Sequence, residues 1–208
     1  MRKFTEEQYI TWMDELAEND YVVVDDFIDT GLYDKIASFF EEKMEMNDLE
    51  KAGIGSLGLH TIDKKVRGDY VYWLNPDLDV ALTPYFKMID ELMIQIKRLC
   101  FVSLSDFECH LAYYPAGTFY KKHVDQFKER NNRMISFVVY LNPDWQQGDG
   151  GELVIYKDDK TITVAPIKSR LILFKSADVL HEVALTNKAR MSITGWMLNN
   201  PVGLGFLS

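Results

Sequence analysis

The sequence predicts an α+β chain: a double-stranded β-helix, or jelly roll of the cupin kind, preceded by helices packed on one of its sheets. Two patterns predict it. From about residue 107, short runs rich in β-branched and aromatic residues follow one another. They are separated by Pro115-Ala116-Gly117, Asn142-Pro143-Asp144, Gly148-Asp149-Gly150-Gly151, Asp158-Asp159 and Asn187-Lys188. Eight strands at that spacing read as a sandwich or roll. The first hundred residues instead carry apolar residues at helical spacing behind capping signals. At 208 residues and 47% hydrophobic, the chain is read as one domain over 1–208, with residues 1–100 as helical support and 101–208 as the core.

Taken in order, Thr5-Glu6-Glu7-Gln8 has the form of a capping box and opens a helix running to about Asn19. Tyr9, Met13, Leu16 and Ala17 share one of its faces. Tyr21 to Ile28 is a β-branched run and reads as a strand. Asp29 or Thr30 caps a second helix with Ile36, Phe39, Phe40 and Met44 as its apolar stripe. Residues 52–69 are glycine-rich and then basic, without helical period, and His60 lies among them. That composition predicts a mobile loop over 53–69. Tyr70 to Leu74 reads as a strand. Thr83-Pro84 starts a third helix, with proline at its first turn, carrying Phe86, Ile89, Leu92, Met93 and Ile96.

The eight strands are expected at 107–114, 119–124, 133–141, 151–156, 160–164, 170–175, 180–186 and 190–198. Alternation assigns their faces. Arg190, Ser192, Thr194 and Trp196 share one face of the last strand, and Met191, Ile193 and Met197 the other. Met134, Ser136, Val138 and Tyr140 lie together, as do His110, Ala112 and Tyr114. The mixed polar faces are expected to line a site inside the roll.

The net charge of −9 argues against a nucleic-acid partner or an anionic membrane surface. Cys100 and Cys109 are too few for a disulfide framework. No apolar run reaches membrane-spanning length, and the start lacks a signal-peptide core, so a cytoplasmic location is expected.

His123-Val124-Asp125 places an imidazole and a carboxylate two residues apart, on one face of a strand end. Taken singly, His181 reads as a core or loop histidine and Arg190 as a surface ion pair. Together with the His-X-Asp unit they suggest a 2-His-1-carboxylate set for non-haem Fe(II). The Arg190 guanidinium is suited to bidentate capture of a carboxylate, and Tyr140 is placed to donate a further hydrogen bond to it.

The chain resembles the 2-oxoglutarate- and Fe(II)-dependent oxygenases, and within them the prolyl 4-hydroxylases of the hypoxia-sensing type and their bacterial relatives. The resemblance runs from about Val22 to Met197. It rests on Val23-Val24-Asp25-Asp26-Phe27, Arg67-Gly68-Asp69 with Trp73, Tyr114-Pro115, His123-Val124-Asp125, Tyr140-Leu141-Asn142 with Asp144-Trp145, Gly150-Gly151 with Leu153, His181-Glu182-Val183, and Arg190 with Thr194 and Trp196. It implies His123, Asp125 and His181 as iron ligands. It implies Arg190 and Tyr140 on the distal carboxylate of 2-oxoglutarate, with Thr194 nearby and Tyr114 and Tyr120 lining the pocket. Arg67, Asp69, Tyr120 and Trp196 are the implied substrate contacts, and the 53–69 loop the substrate cover. His110 has no ligand role in that pattern and is read as a hydrogen-bonded wall residue. The implied cofactors are Fe(II), 2-oxoglutarate and O2, with ascorbate as reductant. The implied partner is a proline-containing protein or peptide, and bacterial members point to a translation factor. A small-molecule or free amino-acid hydroxylase, and a non-catalytic cupin-like module binding 2-oxoglutarate or metal, stay open.

Overall fold

The computed structural model describes residues 3–53, 66–126 and 131–199. Its elements are α1 (Glu6–Asn19), β1 (Tyr21–Val24), α2 (Thr30–Glu45), β2 (Glu50–Lys51), β3 (Tyr70–Trp73), α3 (Thr83–Cys100), β4 (Asp106–Tyr114), β5 (Tyr120–His123), β6 (Arg133–Tyr140), β7 (Leu153–Lys157), β8 (Lys160–Val164), β9 (Leu171–Lys175), β10 (Leu180–Val183) and β11 (Arg190–Leu198). The strands form two antiparallel sheets. The larger runs β1-β9-β6-β11-β4-β3-β2 and the smaller β5-β10-β7-β8.

Alternation along the strands separates two cores. Outward residues of the larger sheet, among them Leu111, Phe137, Val139, Leu173, Ile193 and Met197, pack under the helices with Ile36, Leu92 and Ile96. Inward residues, including Ala112, Tyr114, Val138, Tyr140, Ile172 and Phe174, meet Leu153, Ile155 and Val183 of the smaller sheet. This is a jelly roll with helices on one sheet. Thr5 caps α1 through the reciprocal bonds of a capping box, Gln8 N–H to Thr5 Oγ1 at 3.2 Å and Thr5 N–H to Gln8 Oε1 at 2.9 Å. Asp29, rather than Thr30, caps α2 by accepting from Leu32 N–H at 2.8 Å.

Several expectations need correction. The strand at Tyr21 ends at Val24 because Asp26 turns the chain at φ +52°; Phe27 and Ile28 are buried from the turn. Trp12 is buried on α1 and Ala17 is exposed. Trp12 meets the Phe4 ring at 4.8 Å, so aromatic packing sets the face. The two strands expected in the first hundred residues both join the larger sheet, β1 on β9 and β3 on β4, and the short β2, which the sequence did not suggest, pairs with β3.

Of the expected 53–69 loop, residues 54–65, including His60, lie outside the described residues. Its end is part of a sheet edge: Lys121 N–H donates to Val66 O at 2.9 Å and Gly68 N–H to Phe119 O at 3.1 Å, which covers backbone that β5 otherwise leaves open.

Candidate active site

His123 ends β5, and its direct register partner on β10 is His181. Asp125 follows two residues later, where its N–H and that of Gln126 both donate to Ser176 O at 3.1 Å. Two strands and one pinned turn therefore bring the three side chains together, with all ligand atoms within 4.8 Å of one another. Asp125 Oδ1 stands 3.4 Å from His123 Nε2 and 3.8 Å from His181 Nε2.

The surroundings prepare each group for a cation. His123 Nδ1 lies 2.7 Å from Lys121 O, and His181 Nδ1 lies 3.0 Å from Val179 O. A carbonyl only accepts, so both Nδ1 atoms carry the proton and both Nε2 lone pairs face the shared centre. Ser136 Oγ–H donates to Asp125 Oδ2 at 2.7 Å and sits 2.8 Å from Ser176 Oγ. Burial would raise the Asp125 pKa, but His181, His123 and the Ser136 hydroxyl outweigh it and hold the carboxyl well below its usual range. Burial pushes His181 toward its neutral form. Tyr120 stacks on the His123 ring at 3.7 Å, and Phe174 meets the His181 ring edge-on at 4.7 Å. The trio thus has a fixed orientation and the donor set of a divalent transition-metal site.

The larger sheet faces this trio with Arg190, Ser192, Thr194 and Trp196 of β11. Arg190 is 3% exposed. Its Nε–H donates to Gly151 O at 2.9 Å, and Nη1–H to Ser192 Oγ at 3.2 Å. The Tyr114 and Tyr140 rings lie 4.9 and 5.0 Å from the guanidinium carbon. Gly151 is required here: its φ is +76°, and a Cβ on it would stand 3.0 Å from Arg190 Cδ and 2.9 Å from Thr186 Cγ2. Arg67 and Arg133 differ from Arg190 in having carboxylate partners. Arg67 forms a two-pronged pair with Asp69, and Arg133 donates twice to Glu108 Oε1, at 3.0 and 2.6 Å. Arg190 has no carboxylate partner among the described residues. A buried guanidinium left that way is costly unless an anion joins it.

The Tyr140 hydroxyl is also buried without a partner among the described residues, a state worth about 1–3 kcal/mol of unmet desolvation. Burial raises the Tyr140 and Tyr114 pKa values, so both phenols are donors at neutral pH. Arg190 and Tyr140 could together hold one carboxylate of a dicarboxylic co-substrate, although Tyr140 is not among the residues lining the cavity at the trio, and Thr194 Oγ1 lies 3.4 Å from Ser192 Oγ on the same wall.

One cavity of about 130 Å³ is lined by His123, Asp125 and His181 together with Arg190, Thr194, Tyr114, Tyr120, Trp196 and Arg67. Asp69 does not line it. It is 2% exposed and holds Arg67, whose guanidinium packs 4.4 Å from the Tyr120 ring. Burial disfavours the Arg67 charge, and Asp69 more than restores it. Sequence reasoning assigned no role to Ser136, Ser176 or Arg133. Ser136 had a signal, being the one polar residue in the apolar run Met134–Val139. Arg133 had none: alternation assigns it to the helix side with Ile135, but a register shift opposite Met197 and Leu198 brings it into the cavity.

Fold and site together define a jelly roll in which two histidines and a carboxylate that could hold a metal ion face a buried arginine. The sequence pattern of the 2OG-Fe(II) oxygenase superfamily matches residues 109–198. A Pseudomonas putida prolyl-4-hydroxylase structure shares 32% identity at a TM-score of 0.84, covering 93% of this chain and 100% of that one. A Trichoplax adhaerens prolyl hydroxylase, solved with a hypoxia inducible factor oxygen degradation domain peptide fragment, shares 25% at 0.85, covering 93% and 90%. Mouse prolyl 3-hydroxylase OGFOD1 is 25% identical over 188 residues, 81% of this chain and 33% of that protein. The chain spans a third or less of the length of the curated relatives it matches. It belongs to the 2-oxoglutarate- and Fe(II)-dependent oxygenase superfamily.

Proposed function

We propose that this chain hydroxylates a prolyl residue of a protein or peptide, using Fe(II), 2-oxoglutarate and O2, with ascorbate keeping the metal reduced. The observation that carries the reading is Arg190, a buried guanidinium without a carboxylate partner among the described residues, facing a His-Asp-His set across one cavity. The prolyl hydroxylases among its structural neighbours, one of them solved with a peptide, support the substrate class.

In this reading His123, Asp125 and His181 hold the iron, and Arg190 and Tyr140 hold the distal carboxylate of 2-oxoglutarate, flanked by Tyr114 and Thr194. When bound, these groups supply the oxidation, one oxygen atom of O2 leaving in succinate as CO2 is released and the other entering the substrate as hydroxyl. The protein's own work is orientation. Lys121 and Val179 carbonyls fix the imidazoles, Ser136 fixes the carboxylate, and Phe174, Leu153 and Val183 keep the centre dry. Trp196 and Tyr120 line the substrate side, and the Arg67–Asp69 pair braces it. A translation factor is the first candidate target, by resemblance to bacterial members. The two free thiols and a net charge of −9 support a reducing, cytoplasmic setting with a protein rather than a nucleic-acid or anionic-membrane partner.

The test incubates the protein with host-cell lysate, Fe(II), ascorbate and 2-oxoglutarate, following succinate and oxygen additions on peptides by mass spectrometry. Wild type should oxidise a proline, His181→Ala should not, and Arg190→Ala should need at least tenfold more 2-oxoglutarate. Absence of succinate from the wild type would refute the enzymatic reading. Unchanged 2-oxoglutarate dependence in Arg190→Ala would remove Arg190 from its role.

A further inference from the structure

Two polar atoms at the cavity remain unused by the iron and co-substrate assignments. His110 Nδ1 and Trp196 Nε1 are both buried without a hydrogen-bond partner among the described residues, and both side chains line the cavity that holds the His-Asp-His set. Their rings are neighbours, 5.5 Å between centroids. Trp73 packs on both, at 4.9 Å from His110 and 6.2 Å from Trp196, and is itself 48% exposed. Arg133 backs the Trp196 ring at 3.5 Å, its charge engaged by Glu108. The residues assigned to the co-substrate carboxylate, Arg190 and Tyr140, leave this corner unassigned. Arg190 and Trp196 are six residues apart on one face of β11, about 20 Å between their Cα atoms by the strand rise, and His110 pairs with Thr194 between them.

The chemistry of the two atoms is complementary. An indole N–H only donates. His110 is fully buried, and desolvation, with Arg67 and Arg133 adding to it, depresses its pKa to about 3 although Asp69 and Asp125 oppose the shift. The ring is therefore neutral at pH 7, with one nitrogen lone pair to offer. A donor beside an acceptor matches the C=O and N–H of a peptide backbone. It does not match a free amino acid, whose ammonium and carboxylate need charged partners, and the nearby Arg133 is already engaged by Glu108.

We propose, building on the prolyl hydroxylase reading, that His110 and Trp196 clamp the backbone of an extended peptide around the target proline. Trp196 Nε1–H donates to a substrate carbonyl, and His110 accepts the N–H of the residue after the proline, once the substrate has moved the Trp73 indole off both rings. The substrate class is then an internal prolyl residue with an amide on each side, and free proline is excluded. His110 is a substrate-positioning residue in this account.

The test uses purified protein with Fe(II), ascorbate and 2-oxoglutarate. The probes are a mixture of N-acetylated, C-amidated peptides with a fixed central proline and randomised flanks, the same mixture with an ester in place of the amide after proline, and free L-proline. Hydroxyproline and succinate are both counted. Wild type should hydroxylate the amide mixture, lose about tenfold in kcat/KM on the ester, and leave L-proline untouched. His110→Phe should lose about tenfold on the amide mixture, release more succinate per hydroxyl formed, keep its KM for 2-oxoglutarate, and show no further loss on the ester. His110→Asn, whose amide oxygen falls near the Nδ1 position, should recover much of that loss, an outcome that a purely structural role does not produce. Trp196→Phe removes the indole N–H and gives an independent arm if His110→Phe fails to fold. Equal ester penalties in wild type and His110→Phe, or oxidation of L-proline as efficient as that of the peptides, would overturn the clamp. Succinate release that never yields hydroxyproline from any probe would overturn the prolyl hydroxylase reading instead.

Discussion

Asp125 turns Oδ1 toward both imidazoles while Ser136 holds Oδ2. The hydroxyl fixes which oxygen faces the centre, a kind of support whose loss commonly costs 10–100-fold in metal affinity. Ser136→Ala should therefore weaken Mn(II) binding, used as a redox-stable probe, by about tenfold or more. Competition against a chelator measures it, and an unchanged affinity would mean that Ser176 and the backbone suffice. At this scale the sequence was partly legible. Two histidines, an aspartate and an arginine are chemically conspicuous whatever their distance. Ser136 and Ser176 are ordinary residues whose importance comes from a 2.8 Å approach between positions 40 apart, and no local pattern encodes that.

At the scale of elements, β11 carries one wall of the site on one face and the helix-side core on the other. Gly195 makes this possible. A Cβ there would stand 2.4 Å from Phe137 Cζ, 2.5 Å from Glu108 O and 2.6 Å from Cys109 Cβ, and the backbone oxygen has nowhere to go. Gly195→Ala should destabilise the fold by about 1–3 kcal/mol through overpacking, read as a lower urea midpoint with an unchanged slope. A neutral result would mean that β4 and β6 part more easily than their packing implies. Alternation and caps made most elements readable: the expected strand 190–198 matches β11, and 160–164 matches β8. What escaped was long-range. The pairing of residues 66–69 with β5 and the register shift that carries Arg133 inward both depend on where a distant strand lies, which periodicity does not report.

At the scale of the whole molecule, His110 couples the site to acid stability. Burial holds its folded pKa at about 3, below the ordinary histidine value of about 6.5, so the unfolded chain binds the proton first as pH falls. The neutral ring's contribution is complete above pH 6.5 and is lost progressively from there toward pH 3, at up to about 1.4 kcal/mol per pH unit. Urea unfolding of the metal-free protein should show stability falling between pH 6.5 and 4.5, and His110→Phe should flatten that slope. Identical slopes in the two proteins would show that His110 is not held neutral.

Both imidazoles come from the smaller sheet, on directly paired strands, whereas Arg190 and Tyr140 stand on the larger one. In the proposed reading, the metal and the anchor for its co-substrate are thus carried by opposite plates of the roll. On that reading the distance between them follows from the filling of the inner apolar cluster, which includes Ile155 of the smaller sheet and Ile172 and Val138 of the larger. The same filling that stabilises the fold then works as a calliper: its thickness decides how many carbon atoms separate the two carboxyl groups of an acceptable diacid.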